Sequence, residues 1–489
     1  MTDAITLLPG PQLMESMRAV GYNLETALAD LVDNSITAGA ETVDIRFSAV
    51  GDPYVAIIDD GAGMTSLEAQ DAMRLAGNDS RNRRASHDLG RFGLGLKTAS
   101  ISQCRKLTLV TKQRREVHAF RWDLDYLSSS SSWSLLRLAP EEFQALPEYA
   151  ALEALDHGTM ILWQDLDQLE STSGNSIAAM DEAMMRAASH LGLVFHRFLA
   201  GEHGRQLDIR LNFTSVPATD PLLKDHKATQ IGPLERISLD QGTIELRPYT
   251  LPHLNMMSPS DRRKAHVNGS LRDSQGFYIY RAMRLVIWGT WFRVAPKQEL
   301  GKLARVQVDV PNSLDHLWSL DIKKAQAVPP PVIRDRLRAV AATIVGPSQR
   351  AHTYRGRTER SPITHIWNAV SDAESFRYEV NRNHPALVAL SSTFDRQESA
   401  ALETVLSLME RTFPIEDVYN KMGQDLSHSA TEVDDQDLFD LAGALWGQLQ
   451  STLAPDAFVK AMLTSEPFDK HPRAEAVLRE TVLGKDTQS

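Results

Sequence analysis

The sequence predicts an α+β fold in three parts. Helical and strand patterns are mixed over residues 1–198, strand patterns dominate residues 199–345, and helical patterns dominate residues 346–489. Apolar residues spaced three or four apart indicate helices, whereas short continuous apolar runs between turn residues indicate buried strands. A length of 489 residues allows two to four domains of ordinary size. We therefore expect one domain in each part.

The first part opens with a helix and a strand pair. The helix is predicted over Leu24–Ala38, and strands over Thr42–Phe47 and Tyr54–Ile58 flank the turn residues 51–53. The second strand is continuously apolar, which is typical of a buried position. The other elements predicted here are helices over Leu67–Leu75, Leu96–Ser102 and Met180–Leu199, strands over Lys106–Thr111 and Glu116–Trp122, a mobile polar loop over Asn78–His87 and an exposed serine loop over Ser128–Ser132.

The second and third parts differ in their dominant element. The strands predicted in the second part are Leu207–Asn212, Gly276–Tyr280, Met283–Gly289 and Ala304–Val310, followed by a helix over Val332–Val345. The third part contains helices predicted over Glu398–Arg411 and Gln436–Leu453, a turn between helices over Tyr378–Pro385 and an acidic loop over Gln424–Asp435. Its amphipathic helices are typical of an interaction or dimerisation region.

Composition and charge exclude several classes of protein. Hydrophobic residues make up 42% and charged residues 24% of the chain, as in soluble globular proteins. A net charge of −11 is not that of a nucleic-acid coat protein. The single cysteine, Cys104, excludes a disulfide framework and fits a reducing compartment. Residues 1–18 lack the features of a secretory signal, and no apolar run could cross a bilayer. We therefore expect a cytoplasmic protein with no membrane partner.

A first polar motif lies on the predicted helix that begins at Leu24. Asp30, Asp33 and Asn34 are spaced i, i+3 and i+4, so they share one helical face. Carboxylate and amide oxygens suit a hydrated magnesium ion. A solvated polar face explains the same spacing equally well.

A second motif, Ile57-Ile-Asp59-Asp-Gly61-Ala-Gly63-Met64, follows the second strand. A carboxylate at the end of a buried strand can accept a hydrogen bond from an adenine amino group, and the glycines allow a ligand to approach the backbone closely. An ordinary Asp-Gly turn is the alternative.

A third motif, Gly90-Arg-Phe-Gly93-Leu-Gly95-Leu-Lys97, precedes a helical stretch. Backbone amides at a helix N-terminus bind anions, so phosphate is the natural ligand. The polar segment before the glycines argues against a dinucleotide fold, and Leu96 interrupts the order that a P-loop requires. A fourth motif, His157-Gly-Thr159, indicates a turn that enters a strand.

The order and spacing of these motifs resemble the GHKL ATPases, a family that includes gyrase, MutL, MORC proteins, histidine kinases and a heat-shock chaperone. The wording of residues 29–35 and 90–97 is similar to bacterial MORC-like and MutL-like members. The resemblance implies a Bergerat-type α/β sandwich over residues 1–198 that binds and hydrolyses ATP with Mg²⁺.

The resemblance also implies roles for individual residues. Asn34 would hold the magnesium ion, Asp59 would bind adenine with support from Thr159, and Asp30 would activate the attacking water. Asp30 stands where the family usually has glutamate, and a side chain shorter by one methylene implies slow hydrolysis. The full set of implied ATP-binding positions is Asn34, Asp59, Gly61, Gly63, Met64, Gly90, Arg91, Phe92, Gly93, Leu94, Gly95, Lys97 and Thr159.

Residues 199–345 resemble the ribosomal-S5-like transducer domain that follows the ATPase domain in gyrase, MutL and MORC proteins. The supporting text is Gly276–Arg281, Arg284–Ile287 and Arg305–Pro311. The resemblance implies a lysine that reaches the γ-phosphate, and the candidates are Lys324 first and Lys323 second. Two solvated lysines are the alternative.

The resemblance implies a homodimer that closes on nucleotide binding, with residues 1–21 exchanged between the copies. It further implies a clamp or switch that acts on DNA or on a DNA-processing partner, in phage defence or DNA repair. A nuclease, helicase or methyltransferase of a defence system would be such a partner. A nucleotide-gated scaffold with negligible hydrolysis is the main alternative. A histidine kinase is disfavoured, because the motifs begin near residue 25 with no phosphoacceptor helix before them.

Overall fold

The computed structural model divides the chain into two compact units, residues 1–353 and 354–489. The residues that it describes are 10, 12–18, 22–74, 95–130, 132–167, 176–204, 206–239, 241–314, 319–320, 327–328, 333–341, 364–371, 376–392, 394–415, 417–418, 434–451 and 453–484. The described residues combine helices with largely antiparallel sheets, which confirms the predicted α+β class.

An eight-stranded sheet forms the centre of the first part. Its strand order is β5-β4-β3-β6-β2-β1-β7-β8, and every neighbouring pair is antiparallel except β1 and β7. Two strands from beyond residue 198 complete the sheet. The strands are β1 Thr42–Ser48, β2 Tyr54–Asp59, β3 Lys106–Gln113, β4 Glu116–Asp123, β5 Leu136–Arg137, β6 Gly158–Gln164, β7 Asp208–Leu211 and β8 Thr214–Ser215.

Helices cover both faces of this sheet, and the longest pack together on one face. Helix α2 contacts both α4 and α8, and the side chain of Asn23 caps its N-terminus by accepting from the amide of Thr26 at 2.9 Å. The helices are α1 Gln12–Arg18, α2 Leu24–Thr37, α3 Ser66–Met73, α4 Gly95–Ile101, α5 Leu124–Ser130, α6 Pro140–Gln144, α7 Tyr149–Glu153, α8 Ser176–Val194 and α9 His196–Leu199.

Successive residues of β2 enter two separate cores, as the period of a strand requires. Val55 and Ile57 join the core that also holds the apolar faces of α2, α4 and α8. Ile58 joins a smaller core with Phe143 of α6 and Leu152 of α7. Asp59, at the end of β2, is therefore surrounded by packed structure rather than by water.

A second sheet follows within the same unit. Its order is β10-β11-β14-β12-β13, with β9 paired to β11, and β12 and β14 are parallel. The helix at residues 333–341, α11, packs its apolar residues against β12 and β14. The remaining elements are β9 Gln230–Ile231, β10 Glu235–Leu239, β11 Gly242–Thr250, α10 Pro259–Ala265, β12 Gly276–Arg281, β13 Arg284–Thr290, β14 Ala304–Val310, β15 Ser319–Leu320 and β16 Ala327–Val328.

The second unit combines a strand pair with several helices among its described residues. The rings of Trp446 and Phe458, 5.0 Å apart, lie in its core, which α14, α15 and α16 enclose. Its elements are β17 Trp367–Ser371, β18 Phe376–Val380, α12 Pro385–Ser391, α13 Arg396–Arg411, α14 Asp435–Leu449, α15 Pro455–Leu463 and α16 Ala474–Leu483.

Most predicted elements are found within two residues of their predicted bounds, and four predictions need correction. Residues 128–130 belong to α5 rather than to a serine loop, because Leu124 and Leu127 bury that helix in the core. The segment predicted as a turn between helices begins as β18, since residues 376–380 pair with β17. The long helix that ends at Leu199 is interrupted at Phe195, which has φ −108°. The helix predicted to end at Leu453 ends at Leu449. Strand β11, which contains Pro248, was not among the predicted strands.

Two predicted loops fall on parts of the chain that the structure does not describe. They are the polar loop predicted over Asn78–His87 and most of the acidic loop predicted over Gln424–Asp435. Within the part of the chain that the structure describes, no helix has the length and apolar character needed to span a lipid bilayer.

Candidate functional site

The carboxyl group of Asp59 lies at the end of β2, between the neighbouring strands β1 and β6. The residue is 8% exposed. Its Oδ2 accepts a hydrogen bond from the hydroxyl of Ser35 at 2.8 Å, and its Oδ1 accepts from the amide of Gly61 at 3.0 Å. Helix α2 and the strand are thereby joined through one side chain.

Burial governs the ionisation of this group. Desolvation raises the pKa of Asp59 from 3.8 to about 6, while the hydrogen bonds from Ser35, Gly61 and the backbone of Thr159 lower it and the charge of Asp60 raises it. At neutral pH the carboxylate is therefore mainly ionised and acts only as a hydrogen-bond acceptor. Such a group binds a donor such as an exocyclic amine.

The loop after β2 is held against β3 by a close backbone approach. Gly63 has φ +66°, and a Cβ there would lie 2.1 Å from the carbonyl oxygen of Lys112, so only glycine fits. The amide of Met64 donates to the hydroxyl of Thr111 at 2.8 Å. The carbonyl of Gly61 contacts Nδ1 of His157 at 2.6 Å. These contacts fix the loop that carries the second motif.

Thr159 stands directly opposite Asp59 in the pairing of β6 with β2. Its hydroxyl is 3.3 Å from that of Thr111 on the other neighbouring strand, and Thr111 also donates to the carbonyl of Gly158 at 3.2 Å. Three adjacent strands therefore place Asp59, Thr159 and Thr111 side by side. The pairing brings Asp59 and Thr159 together, and their role in an adenine pocket stays a prediction.

Asn34 is the exposed residue in a buried stretch of α2 that runs from Leu24 to Ile36 with few interruptions. Its neighbours Asp33 and Ser35 are both buried. Among the described residues, no group of three His, Cys, Asp or Glu side chains could hold a metal ion. A magnesium ion bound through the Asn34 amide oxygen would need phosphate and water as its other ligands, which is how this ion is usually held beside nucleotides.

Asp30 and Asp33 occupy a buried face of α2, where they contact an arginine from the second sheet. Arg284, the first residue of β13, places Nη1 3.4 Å from Oδ1 of Asp30 and also donates to Oδ2 of Asp33. The hydroxyl of Tyr22 donates to Oδ2 of Asp30 at 3.3 Å. Asp30, the predicted base, is therefore a buried, ion-paired carboxylate.

The predicted phosphate-binding segment is described only at its end. Gly90, Arg91, Phe92, Gly93 and Leu94 lie outside the described residues, as do Lys323 and Lys324.

Gly95 begins α4, and Lys97 follows it in the first turn of that helix. The ammonium of Lys97 donates to the carbonyls of Ala72 and Arg74, both at 2.9 Å. Burial lowers the pKa of Lys97 to about 8. The Lys97 cation therefore contacts the end of α3, and its role at the phosphates stays a prediction.

Four residues of the site had no predicted role. Ser35 lies inside a recognised motif, but the direction of its hydroxyl depends on how α2 packs on the sheet. Thr111 on β3 and His157, which directly precedes β6, contact the loop after Asp59. Arg284 is separated from Asp30 by more than 250 residues, and no local pattern links the two.

Comparisons with known proteins agree with this geometry. Residues 22–159 match a family model described as histidine kinase-, DNA gyrase B-, and HSP90-like ATPase. The ATPase morc-1 of Caenorhabditis elegans is 35% identical over 89 residues, which is 18% of this chain and 10% of that protein. The DNA mismatch repair protein MutL of Rhodopseudomonas palustris is 30% identical over 162 residues, 32% of this chain and 24% of that protein. MutL of Caldanaerobacter subterraneus is 33% identical over 94 residues, 19% of this chain and 16% of that protein.

The matched segments thus span at most about a quarter of the length of these relatives. The matched family region contains Asp30, Asn34, Asp59 and Thr159, which are the residues around which the site is built. The chain therefore carries, over residues 22–159, a domain of the GHKL family, the histidine kinase-, DNA gyrase B- and HSP90-like ATPases.

Proposed function

We propose that the chain binds Mg-ATP between α2 and the end of β2 and hydrolyses it slowly. The buried carboxylate of Asp59 is the observation that carries this proposal. Hydrogen bonds from Ser35 and Gly61 hold this carboxylate in place, where it can accept a hydrogen bond from the amino group of adenine. Gly63 and Met64 lie on the fixed loop beside it and would line the base pocket. In the proposed orientation of the nucleotide, the adenine lies at the sheet and the phosphates point toward α4.

In the proposed reaction, Asn34 holds the magnesium ion and Asp30 takes the proton of the attacking water. The phosphates would be held by Gly90–Gly95 and by Lys97, once its ammonium leaves the end of α3. Asp30 is one methylene shorter than the glutamate usual in the family, and about 1 Å of misplacement costs on the order of a hundredfold in rate. Slow turnover is the expected consequence.

A nucleotide-gated scaffold with negligible hydrolysis is the second candidate. The observation that favours it is the engagement of both carboxylate oxygens of Asp30, by Arg284 and by Tyr22. A steady-state ATPase assay separates the two functions, because both require ATP binding and only one produces phosphate. A histidine kinase has the least support, since the ring of His190 packs against Trp288 at 5.9 Å and burial lowers its pKa to about 4.

Residues 199–345 are the proposed transducer domain, with the second sheet at its centre, whereas β7 and β8 of this range belong to the first sheet. Its support is the contact between β13 and the helices α8 and α9, and the reach of Arg284 to α2. Lys324, or else Lys323, is the proposed lysine that neutralises the charge on the γ-phosphate during transfer.

The proposed biological role is that of a clamp or switch that dimerises on nucleotide binding and acts on DNA or on a DNA-processing partner. Two of the relatives are named for DNA mismatch repair. Arg262 and Arg263 are exposed on α10 and could contact a phosphate backbone. Phage defence with a nuclease, helicase or methyltransferase partner is the other proposed setting.

The Asp59→Asn substitution is expected to weaken ATP binding about 30-fold. The amide replaces one carboxylate acceptor by a donor, and a hydrogen bond to a charged group contributes about 2 kcal/mol. Isothermal titration calorimetry with a non-hydrolysable analogue measures the effect. Asp52→Asn, in the exposed turn before β2, is the matched control and should bind normally. Unchanged binding by Asp59→Asn would exclude Asp59 from the adenine pocket.

The same substitution is expected to stabilise the fold at neutral pH. Because burial raises the pKa of Asp59 from 3.8 to about 6, the fold favours the protonated acid, and this contribution is lost as the pH rises from about 4 through about 6. Asparagine does not ionise. Over this range the variant should gain about 3 kcal/mol relative to the wild type, since one pKa unit is about 1.4 kcal/mol. Urea unfolding at pH 4 and pH 7.5 measures the change, and a constant difference contradicts it.

The Asp30→Asn substitution is expected to abolish turnover and to spare nucleotide binding. An amide cannot take the proton of the attacking water, whereas Asp30 lies on the helix face that contacts Arg284 rather than beside Asp59. Phosphate release is measured alongside binding of a non-hydrolysable analogue. Turnover at the wild-type rate would remove Asp30 from the proposed role.

Nucleotide-dependent dimerisation is tested by light scattering of the wild-type chain. The expected result is a doubling of the 54.4 kDa mass with a non-hydrolysable ATP analogue and magnesium, but not with ADP. Closure that depends on the γ-phosphate is the physical reason. A monomer in every nucleotide state contradicts the clamp.

A further inference from the structure

The tip of the β12–β13 hairpin is packed into the first domain. The two residues of its turn, Ala282 and Met283, contact the core formed by α2, α4 and α8. Arg284 follows them directly and is 7% exposed in its side chain. The turn and one buried cation thus contribute to the contact between the second sheet and the elements around α2.

The backbone of this turn is strained. Ala282 has φ +44° and Met283 has φ +72°, in the left-handed region that favours glycine or asparagine. A residue with a Cβ costs about 1–2 kcal/mol in this conformation. The apolar contacts of both side chains with the first core offset that cost. The hairpin conformation thus depends on docking against the ATPase domain.

Arg284 is shared unequally between two carboxylates. It is held closely by Asp33, whose side chain is 3% exposed, and its guanidinium lies 5.5 Å from the ring centre of Phe195. Its contacts with Oδ1 of Asp30 are longer, at 3.4 and 3.5 Å. Asp33 therefore anchors the cation, and Asp30 receives its weaker contact.

Other titratable groups face this cluster from neighbouring elements. Tyr22, before α2, contacts Asp30, and burial and the charge of Asp30 raise its pKa. His190 on α8 is held neutral, since burial and the charge of Arg284 lower its pKa to about 4. Glu25 on α2 is paired with Arg186 of α8 at 2.9 Å. Arg284 is thus a cation in direct contact with both buried aspartates.

We propose that Arg284 is a positioning residue that keeps Asp30 ionised and correctly oriented for hydrolysis. Asp33 binds the same guanidinium group and so weakens the ion pair between Arg284 and Asp30. This inference rests on the proposed ATPase function. In the step concerned, the oxygen of water bonds to the γ-phosphorus, the bond from that phosphorus to the bridging oxygen of ADP breaks, and a proton of the water passes to Asp30. The position of the base then depends on the docked hairpin, so the second domain controls the rate.

The test compares the pH dependence of kcat in Arg284→Gln, Arg284→Lys and Asp33→Asn. A neighbouring cation favours the ionised carboxylate and a neighbouring anion disfavours it. Arg284→Gln should therefore lower kcat about 100-fold and move the acid limb of the profile to higher pH. Asp33→Asn should move the acid limb to lower pH, because Arg284 is then free to pair fully with Asp30.

Arg284→Lys separates charge from geometry. Lysine keeps the cation but lacks the planar fork that reaches two carboxylates at once, so it should lower kcat while the acid limb stays within about half a pH unit of the wild type. KM should change less than about threefold in all three variants, since none of the substituted side chains is proposed to touch the nucleotide. Arg236→Gln, which removes a 65% exposed arginine of β10, is the matched control and should leave the profile unchanged.

Opposite shifts of the acid limb in Arg284→Gln and Asp33→Asn support the proposal. If Arg284→Gln and Asp33→Asn bind a non-hydrolysable analogue normally and lose activity without any shift of the acid limb, the proposal is contradicted, because a purely structural defect lowers kcat at every pH alike. If Arg284→Gln does not fold, the other two variants test the proposal. The acid limb should then move to lower pH in Asp33→Asn and stay in place in Arg284→Lys, and any other result contradicts the proposal. A wild-type chain that binds ATP without turnover overturns both this inference and the proposed hydrolysis, whereas full turnover in every variant overturns this inference alone.

Discussion

The pairing of three buried carboxylates constrains the structure around α2. Asp30, Asp33 and Asp59 lie on or beside α2, and an ionised carboxylate that is buried without partners costs several kcal/mol. Asp59 is satisfied locally, by a hydroxyl from α2 and an amide of its own loop. The pair on α2 takes Arg284, a cation from a sheet formed by residues more than 200 positions later. This electrostatic requirement therefore links α2 to the second sheet.

This arrangement places ligand binding and stability in opposition. Burying an ionised carboxylate in a core costs free energy of folding. The raised pKa of Asp59 reflects this cost at neutral pH. The strand that carries Asp59 is otherwise filled with apolar residues that would stabilise the sheet without it. A group kept ionised and buried at the end of such a strand is typical of a binding site, where stability is given up for recognition. The neighbouring Gly63, with its forced conformation, fits the same interpretation.

Local patterns predicted most of the first domain, because its signals are local. The apolar run before Asp59 and the helical spacing around Asp30 each lie within one element, and both elements are found where expected. Predictions failed where distant contacts decide the structure. The serines at 128–130 are helical because Leu124 and Leu127 pack into the core, and β11 persists despite Pro248 because strands on both sides pair with it. The burial of Arg284 could not be predicted for the same reason. An arginine at the start of a strand is usually exposed, and here the docked hairpin buries it.

The side chains of Asp30 and Asp33 are short enough for the guanidinium group of Arg284 to contact both. Residues i and i+3 on a helix have Cβ atoms about 5–6 Å apart, so two short carboxylates at 30 and 33 fall within the span of one guanidinium group. A glutamate at position 30 would carry its carboxylate one methylene further from the helix and away from a cation anchored at Asp33. The short side chain that slows the proposed hydrolysis is thus the one that fits an arginine from the second sheet. In this chain, the aspartate at position 30 is thus linked to the contact between α2 and the second sheet.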